Sequence, residues 1–395
     1  MTASALSMSV QLTVRQLVGE EPVELALMDR WTAFTTFRII KIILGDRMYE
    51  VDFLPVESEG GSGSKSGDAI TVRLTVESGA RDAVIVIDGG YSAVGEDIAE
   101  HVRRWYGQDR VDLVISTHPD ADHLNGLKTV IESLDVGELM IHQPRLHAVN
   151  VRDFSNLEAL DDLIAAARVR GVIVSEPFAG ATRFDGQLTI LGPSQLYYET
   201  LLDDYLAHSA GITAAAPSVG KSIFAAAKDL LARALSHFPI ETLSDDVRTS
   251  ERNSTSVITL IRSQDRRLLF TGDAGIEALE LAAHEYERLV GPFSTYPLDF
   301  FQAPHHGSRR NLGPSVLDRI LGPKGAPFGT TTSFISSAKA SPKHPSPKVV
   351  NALSRRGADV HATEGRTITH GHQSPSRAGW TALTPLPPLV EVDDE

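Results

Sequence analysis

Four side chains able to bind a cation fall within six residues of this chain: His118, Asp120, Asp122 and His123. They follow the apolar run Val111-Asp-Leu-Val-Ile115, which reads as a buried strand, and they precede Leu124 onward, which has the spacing of a helix. The four therefore sit on a tight strand-to-helix loop. In an extended loop residues i, i+2 and i+4 project to one side, so His118, Asp120 and Asp122 converge while Pro119 and Ala121 turn away. His123, at the expected helix start, closes the cluster. Packing does not require two carboxylates and two imidazoles this close together, because without a cation like charges repel. The chemistry that accounts for them is divalent metal binding.

Other residues with ligand chemistry stand at similar junctions. Asp273 follows the strand Leu268-Leu-Phe-Thr in Gly272-Asp-Ala-Gly275, where glycines let a cation approach closely. Alone it reads as a turn residue capping the next helix; beside the first loop it reads as a ligand. Pro304-His305-His306-Gly307 follows the strand Asp299-Phe-Phe-Gln. His344 lies on another strand-to-helix loop among Lys339, Lys343 and Lys348, where its alternative is an exposed loop histidine. His142, at a strand end, reads as a satisfied buried imidazole. His147, His208, His237, His284 and His361 carry less weight still.

The wording and order of these segments resemble a known family. His118-Pro-Asp-Ala-Asp-His123 resembles the metallo-β-lactamase superfamily signature His-x-His-x-Asp-His, with Asp120 where a second histidine is usual. The longer stretch is similar to the soluble domain of the ComEC DNA-uptake proteins and their free-standing relatives. Further matching segments appear in order: Tyr49-Glu-Val-Asp-Phe-Leu-Pro-Val, Gly67-Asp-Ala-Ile, Val84-Ile-Val-Ile-Asp88-Gly-Gly90, Asn253-Ser-Thr-Ser-Val, Phe270-Thr-Gly-Asp273-Ala, the two histidines, and His344-Pro-Ser-Pro347. The resemblance runs from about Tyr49 to about Arg366.

That resemblance implies a four-layer αββα sandwich and a metal-dependent hydrolase. It implies metal ligands His118, Asp120, Asp122, His123, Asp273 and His306, with Asp273 bridging two divalent ions, zinc or manganese, and magnesium also compatible. His305 becomes a substrate contact or a support, although the two histidines can exchange roles. Asp122 orients a metal-bridged hydroxide, and His305 or His344 protonates the departing oxygen. Asn253, Thr255, Ser308, Arg309 and Lys339 are candidates to hold the substrate. The family also carries a mid-chain histidine ligand, but none lies between His237 and Asp273, where Asn253 and Thr255 stand instead. With Asp120, this makes an oxygen-rich first site, which favours harder ions.

Composition limits the rest. The chain has 395 residues, 42% apolar, enough for a large core, and no cysteine, so disulfides, thiolate ligands and a cysteine nucleophile are excluded. No apolar run reaches the roughly 18 residues of a membrane span, and the first residues lack a basic region followed by an apolar block, so no secretory signal is expected; a cytoplasmic protein is the default expectation. The formal charge of −14 argues against a general polyanion-binding surface. Between His305 and Arg366, however, ten Lys and Arg stand against three Asp and Glu, so this segment is +7 and the remainder −21. Such a run suits a solvated face or an anionic substrate.

Strands alternating with helices in two similar halves predict an α/β layered fold. Residues 1–47 read as an N-terminal extension, 48–372 as the hydrolase domain and 373–395 as a Pro-rich acidic tail, loosely held. Within the domain, 195–250 reads as a helical insertion (Tyr197 to Leu206, Ile223 to Leu235), and Glu59 to Ser66 as a flexible loop. Ala215-Ala-Pro-Ser-Val-Gly-Lys-Ser222 mimics a phosphate-binding loop but lacks the preceding strand and the first glycine; it reads as a loop. The foremost functional reading is a phosphodiesterase or nuclease with nucleic acid or another phosphodiester as substrate. Alternatives are a hydrolase of lactones, thioesters or β-lactams, and a non-catalytic metal-binding module acting through a protein partner.

Overall fold

The computed structural model describes residues 48–57, 65–76, 81–152, 154–209, 241–339 and 341–391. The N-terminal extension, most of the Glu59 to Ser66 loop, the Ile223 to Leu235 helix and the phosphate-loop mimic lie outside these residues.

The first half contains β1 (Tyr49–Phe53), β2 (Ala69–Thr75), β3 (Asp82–Gly89), α1 (Val94–His101), β4 (Arg110–Ile115), α2 (Ala121–Leu124), α3 (Leu127–Ser133), β5 (Asp135–Met140), α4 (Pro144–His147), α5 (Leu157–Val169) and β6 (Ile173–Ser175). The second contains β7 (Thr182–Arg183), β8 (Leu188–Gly192), α6 (Gln195–Ser209), α7 (Glu251–Ser254), β9 (Ile258–Ser263), β10 (Arg266–Phe270), α8 (Ile276–Leu289), β11 (Phe300–Gln302), α9 (Pro314–Leu321), β12 (Thr331–Ile335), α10 (Pro347–Arg355) and β13 (Ala358–Ala362). A last strand, β14 (Ile368–His372), returns to pair antiparallel with β1.

Two seven-stranded sheets result, in the orders β14-β1-β2-β3-β4-β5-β6 and β13-β12-β11-β10-β9-β8-β7. In each, four consecutive strands ending at one edge are parallel: β3 to β6, and β10 to β13. Alternation along a strand explains the layering. In β3, Val84 and Val86 face helices α1, α3 and α5, while Ile85 and Ile87 face the other sheet. In β11, Phe301 packs towards α8, α9 and α10, and Phe300 points between the sheets. A strand covered on both faces reads as a continuous apolar run, which is why these segments were visible in the sequence. The inter-sheet layer centres on Phe53, Phe300 and Phe334, with edge-to-face ring pairs at 5.3 and 5.2 Å. The architecture is the four-layer αββα sandwich that the sequence predicts.

Two expectations need correction. The helix after the first metal loop begins at Ala121, not Leu124, with Asp120 extended at its N-cap (φ −74°, ψ 146°). Asp122 therefore sits in a first helical turn rather than continuing an extended alternation. The tail is not loose over its described length. Arg377 forms ion pairs with Asp52 and Glu50, and Trp380 stands edge-to-face with Trp105 at 5.4 Å. The Leu386 and Leu389 N–H groups donate to Val360 O and Asn351 Oδ1. These partners are remote in sequence, so composition alone could not reveal them. Among the described residues, no helix is long and apolar enough to cross a membrane.

Candidate metal centre

The C-terminal ends of the parallel strands carry the chemistry, as open α/β sheets favour. From sheet one come His118 after β4, and Asp122 and His123 on α2. From sheet two come Asp273 after β10 and His305 and His306 after β11. His123 Nε2 lies 3.4 Å from Asp273 Oδ1, His306 Nε2 3.6 Å from Asp122 Oδ2, and His118 Nε2 3.7 Å from Asp273 Oδ2. These spacings are too long for hydrogen bonds. They match the roughly 3.4 Å between ligand atoms arranged tetrahedrally about 2.1 Å from an ion.

The orphaned atoms point the same way. His118 Nε2, His123 Nε2, Asp273 Oδ1 and both ring nitrogens of His306 are buried without a hydrogen-bond partner, a costly arrangement unless a cation accepts their lone pairs. The donor set therefore fits a divalent ion. His123 Nδ1 donates to Asp88 Oδ2 at 2.7 Å, which leaves Nε2 as the lone-pair nitrogen. Asp88 also accepts from Thr117 N and from Thr117 Oγ1. His118 Nδ1, 3.1 Å from that hydroxyl, can donate to it, which frees its own Nε2. Asp88, His305 and His306 adopt left-handed backbone (φ 59°, 49° and 56°), a conformation that costs non-glycine residues of order 1 kcal/mol or more.

Charges balance only in part. Burial alone would push His123 and His306 down, but neighbouring carboxylates prevail: Asp273 and Asp88 hold His123 well above its usual value, and Asp273, Asp122 and Asp68 raise His306 to about 9. Burial works against Asp122 and Asp273 too, yet the surrounding imidazoles hold both carboxyls below their usual range. Burial, then the charge of His123, lowers His118 to about 3. Burial raises Asp120, opposed first by Arg252.

The structure brings His118, Asp122, His123, Asp273 and His306 together, with Asp120 Oδ2 3.8 Å from His118 Nε2. His305 Nε2 stands 3.6 Å from Asp273 Oδ2, and its ring stacks 5.8 Å from that of His344. Burial, then His306 and His305, holds His344 down to about 4. Asn253, Thr255 and Ser308 are buried. Asn253 Nδ2 is 3.0 Å from His305 Nδ1, Thr255 Oγ1 donates to Arg252 O, and Ser308 Oγ accepts from Arg310 N. Arg309 is half-buried, and Lys339 is exposed with its backbone N–H on Glu57. His142, expected to be satisfied, has neither ring nitrogen bonded; it stacks on Tyr198 at 4.3 Å and behaves as a neutral aromatic.

Sequence reasoning did not assign Asp68, Asp88, Arg252 or Asn311. Asp68 joins Asp273 and His306 in one convergent group, and Gln302 Nε2 donates to it at 2.8 Å. Gly67 makes this approach feasible, since a Cβ there would stand 2.3 Å from Asp122 O. Asn311 Nδ2 donates to Asp273 O, and its Oδ1 lies 2.9 Å from His305 Nδ1. For Asp68 and Asp88 the available signal was an acid beside glycine at a strand end; Asn311 gave none.

Residues 75–195 match the sequence profile of the metallo-beta-lactamase superfamily. The matched segment runs from the end of β2 to the start of α6 and so includes the His118–His123 loop. Among solved structures, it is similar to the metallo-beta-lactamase fold protein YhfI from Bacillus subtilis (10% identity, 83% of this chain and 100% of that one, TM-score 0.40). It is also similar to unliganded yeast PDE1 (11%, 82% and 99%, TM-score 0.40) and to a metallo-beta-lactamase from Hirschia baltica (16%, 36% and 55%, TM-score 0.20). No curated protein matches at a significant level.

Proposed function

We propose that this protein is a metal-dependent phosphodiesterase, with nucleic acid as the first substrate class to try. The observation that carries the metal-dependent part is the set of buried, unpartnered ligand atoms on His123, Asp273 and His306. An ion held there by Asp122, His123, Asp273 and His306 would supply Lewis-acid polarisation of a phosphoryl oxygen and a hydroxide near neutral pH. Asp122 and Asp273, held ionised, keep the acceptor oxygens that orient an attacking water. His305, 31% exposed at its side chain, is the group we assign to protonate the departing oxygen. His344, neutral at working pH, offers an N–H to a substrate oxygen. The phosphodiester reading draws support from exposed Arg310 and Lys343 flanking the histidine loops, and from the ComEC-like order of motifs.

The test is incubation of the purified chain with labelled single- and double-stranded DNA, RNA and a generic aryl phosphodiester across Mg²⁺, Mn²⁺ and Zn²⁺. A lactone and a thioester run in parallel. Cleavage of a phosphodiester that falls by at least about 100-fold in Asp273→Asn is expected. Cleavage of the lactone or thioester alone would reassign the substrate to carbonyl compounds. No turnover of any substrate would leave a metal-binding module.

A further inference from the structure

The ligand atoms that converge do not make two complete sets. Among the described residues, every trio of acids and imidazoles with ligand atoms within 4.8 Å of one another is drawn from Asp68, Asp88, His118, Asp122, His123, Asp273 and His306. Asp120 belongs to none of them. Its carboxylate meets a cation that the protein itself supplies: Arg252 Nη1 lies 2.9 Å from Asp120 Oδ1, in charge contact rather than in a directed hydrogen bond. Arg252 is fixed in place. It sits on the short α7, capped by Ser250, and its guanidinium stands 5.8 Å from the ring centre of Tyr205 on α6. The other oxygen of Asp120 faces His118 Nε2, so Arg252 guards the side of the pocket where a second ion would need Asp120.

We propose that the Arg252 guanidinium stands in for a second metal ion, so that the centre holds a single ion on Asp122, His123, His306 and Asp273. A guanidinium stays charged at any working pH and has no lone pair to offer. It neutralises Asp120 and repels a dication placed beside His118. The inference rests on the metal-dependent reading above.

Metal counting tests it without reference to turnover. The protein is loaded with excess Mn²⁺, freed of unbound ion by gel filtration, and measured by elemental analysis and electron paramagnetic resonance. Wild type should carry one Mn²⁺ per chain with an isolated-ion spectrum. Arg252→Gln should take up a second ion and show spin coupling. Asp120→Asn, with Arg252 retained, should stay at one, which keeps the test open if the first variant misfolds. Two coupled ions in wild type would overturn the inference and leave the hydrolase reading intact. So would a folded Arg252→Gln that still binds one ion, or an Asp120→Asn that binds none. A wild-type chain that binds no ion would instead sink the hydrolase reading itself.

Discussion

Asp88 lies one bond beyond the pocket, yet it decides which nitrogen His123 presents. Its carboxylate accepts from Thr117 N, Thr117 Oγ1 and His123 Nδ1, and it is fully buried. Asp88→Asn preserves shape but turns one acceptor into a donor. The amide then meets either the Thr117 N–H with a second donor, or His123 Nδ1 with an N–H that forces the proton to Nε2. The first arrangement loosens the backbone at Thr117 that precedes His118, and the second takes the His123 lone pair, so metal affinity should fall about 10–100-fold. Competition against a chelating dye on folded protein measures this, and a change under about threefold would refute it. The metal loop was legible because its residues are adjacent in sequence and carry charges that packing does not need. Asp88 and Asp68 were not, since a lone acid beside glycine is also what any turn looks like. Arg252 was hidden because its partner, Asp120, lies far away in the chain.

At the scale of elements, β1, α1 and the C-terminal segment are tied by one buried charge. Asp52 accepts from His101 Nε2 (2.9 Å), Tyr106 Oη (2.7 Å) and the Arg377 guanidinium, which itself stacks 4.7 Å from the Trp380 ring. Burial pushes Asp52 up, but the hydrogen bonds and charges of His101 and Arg377 outweigh it and hold the carboxyl at about 2 instead of 3.8. A depressed acid contributes stability that is present above the unfolded value and lost as pH falls towards the folded one. The contribution is about 2 kcal/mol near neutrality. The stability gap between wild type and Asp52→Asn should therefore narrow by that order as pH drops from 5 to 2, read from urea midpoints. A gap that does not change with pH would exclude the linkage. Strands buried on both faces and Pro-initiated helices such as α9 and α10 were readable from local pattern. The tail was not, because Arg377 and the leucines beyond it owe their order to partners more than 300 and about 25 to 40 residues away.

For the molecule as a whole, the centre spans the seam between the two sheets. His118, Asp122 and His123 belong to the half built on β4 and α2, and Asp273 and His306 to the half built on β10 and β11. Among the described residues, direct polar links between the halves near the pocket include Gln302 Nε2 to Asp68, Ser256 Oγ beside His118 Nδ1, Val257 N to Thr117 O and Arg252 to Asp120. Without an ion, this end keeps buried ligand atoms that have no hydrogen-bond partner. An ion ligated from both sheets would give those atoms a shared partner, and it would bind only when the halves are correctly docked. Loading at about 100 times the dissociation constant should then stabilise the fold by about 2.7 kcal/mol, which for a chain of this size is a rise of several degrees in Tm. Hydrogen exchange should slow together at Thr117–Leu124, Gly272–Ala274 and His305–Ser308, since one bond network closes all three loops. Asp273→Asn should abolish both effects. Protection confined to the first loop, with sheet two unchanged, would mean that the ion is held by one half alone and that the seam is not its site.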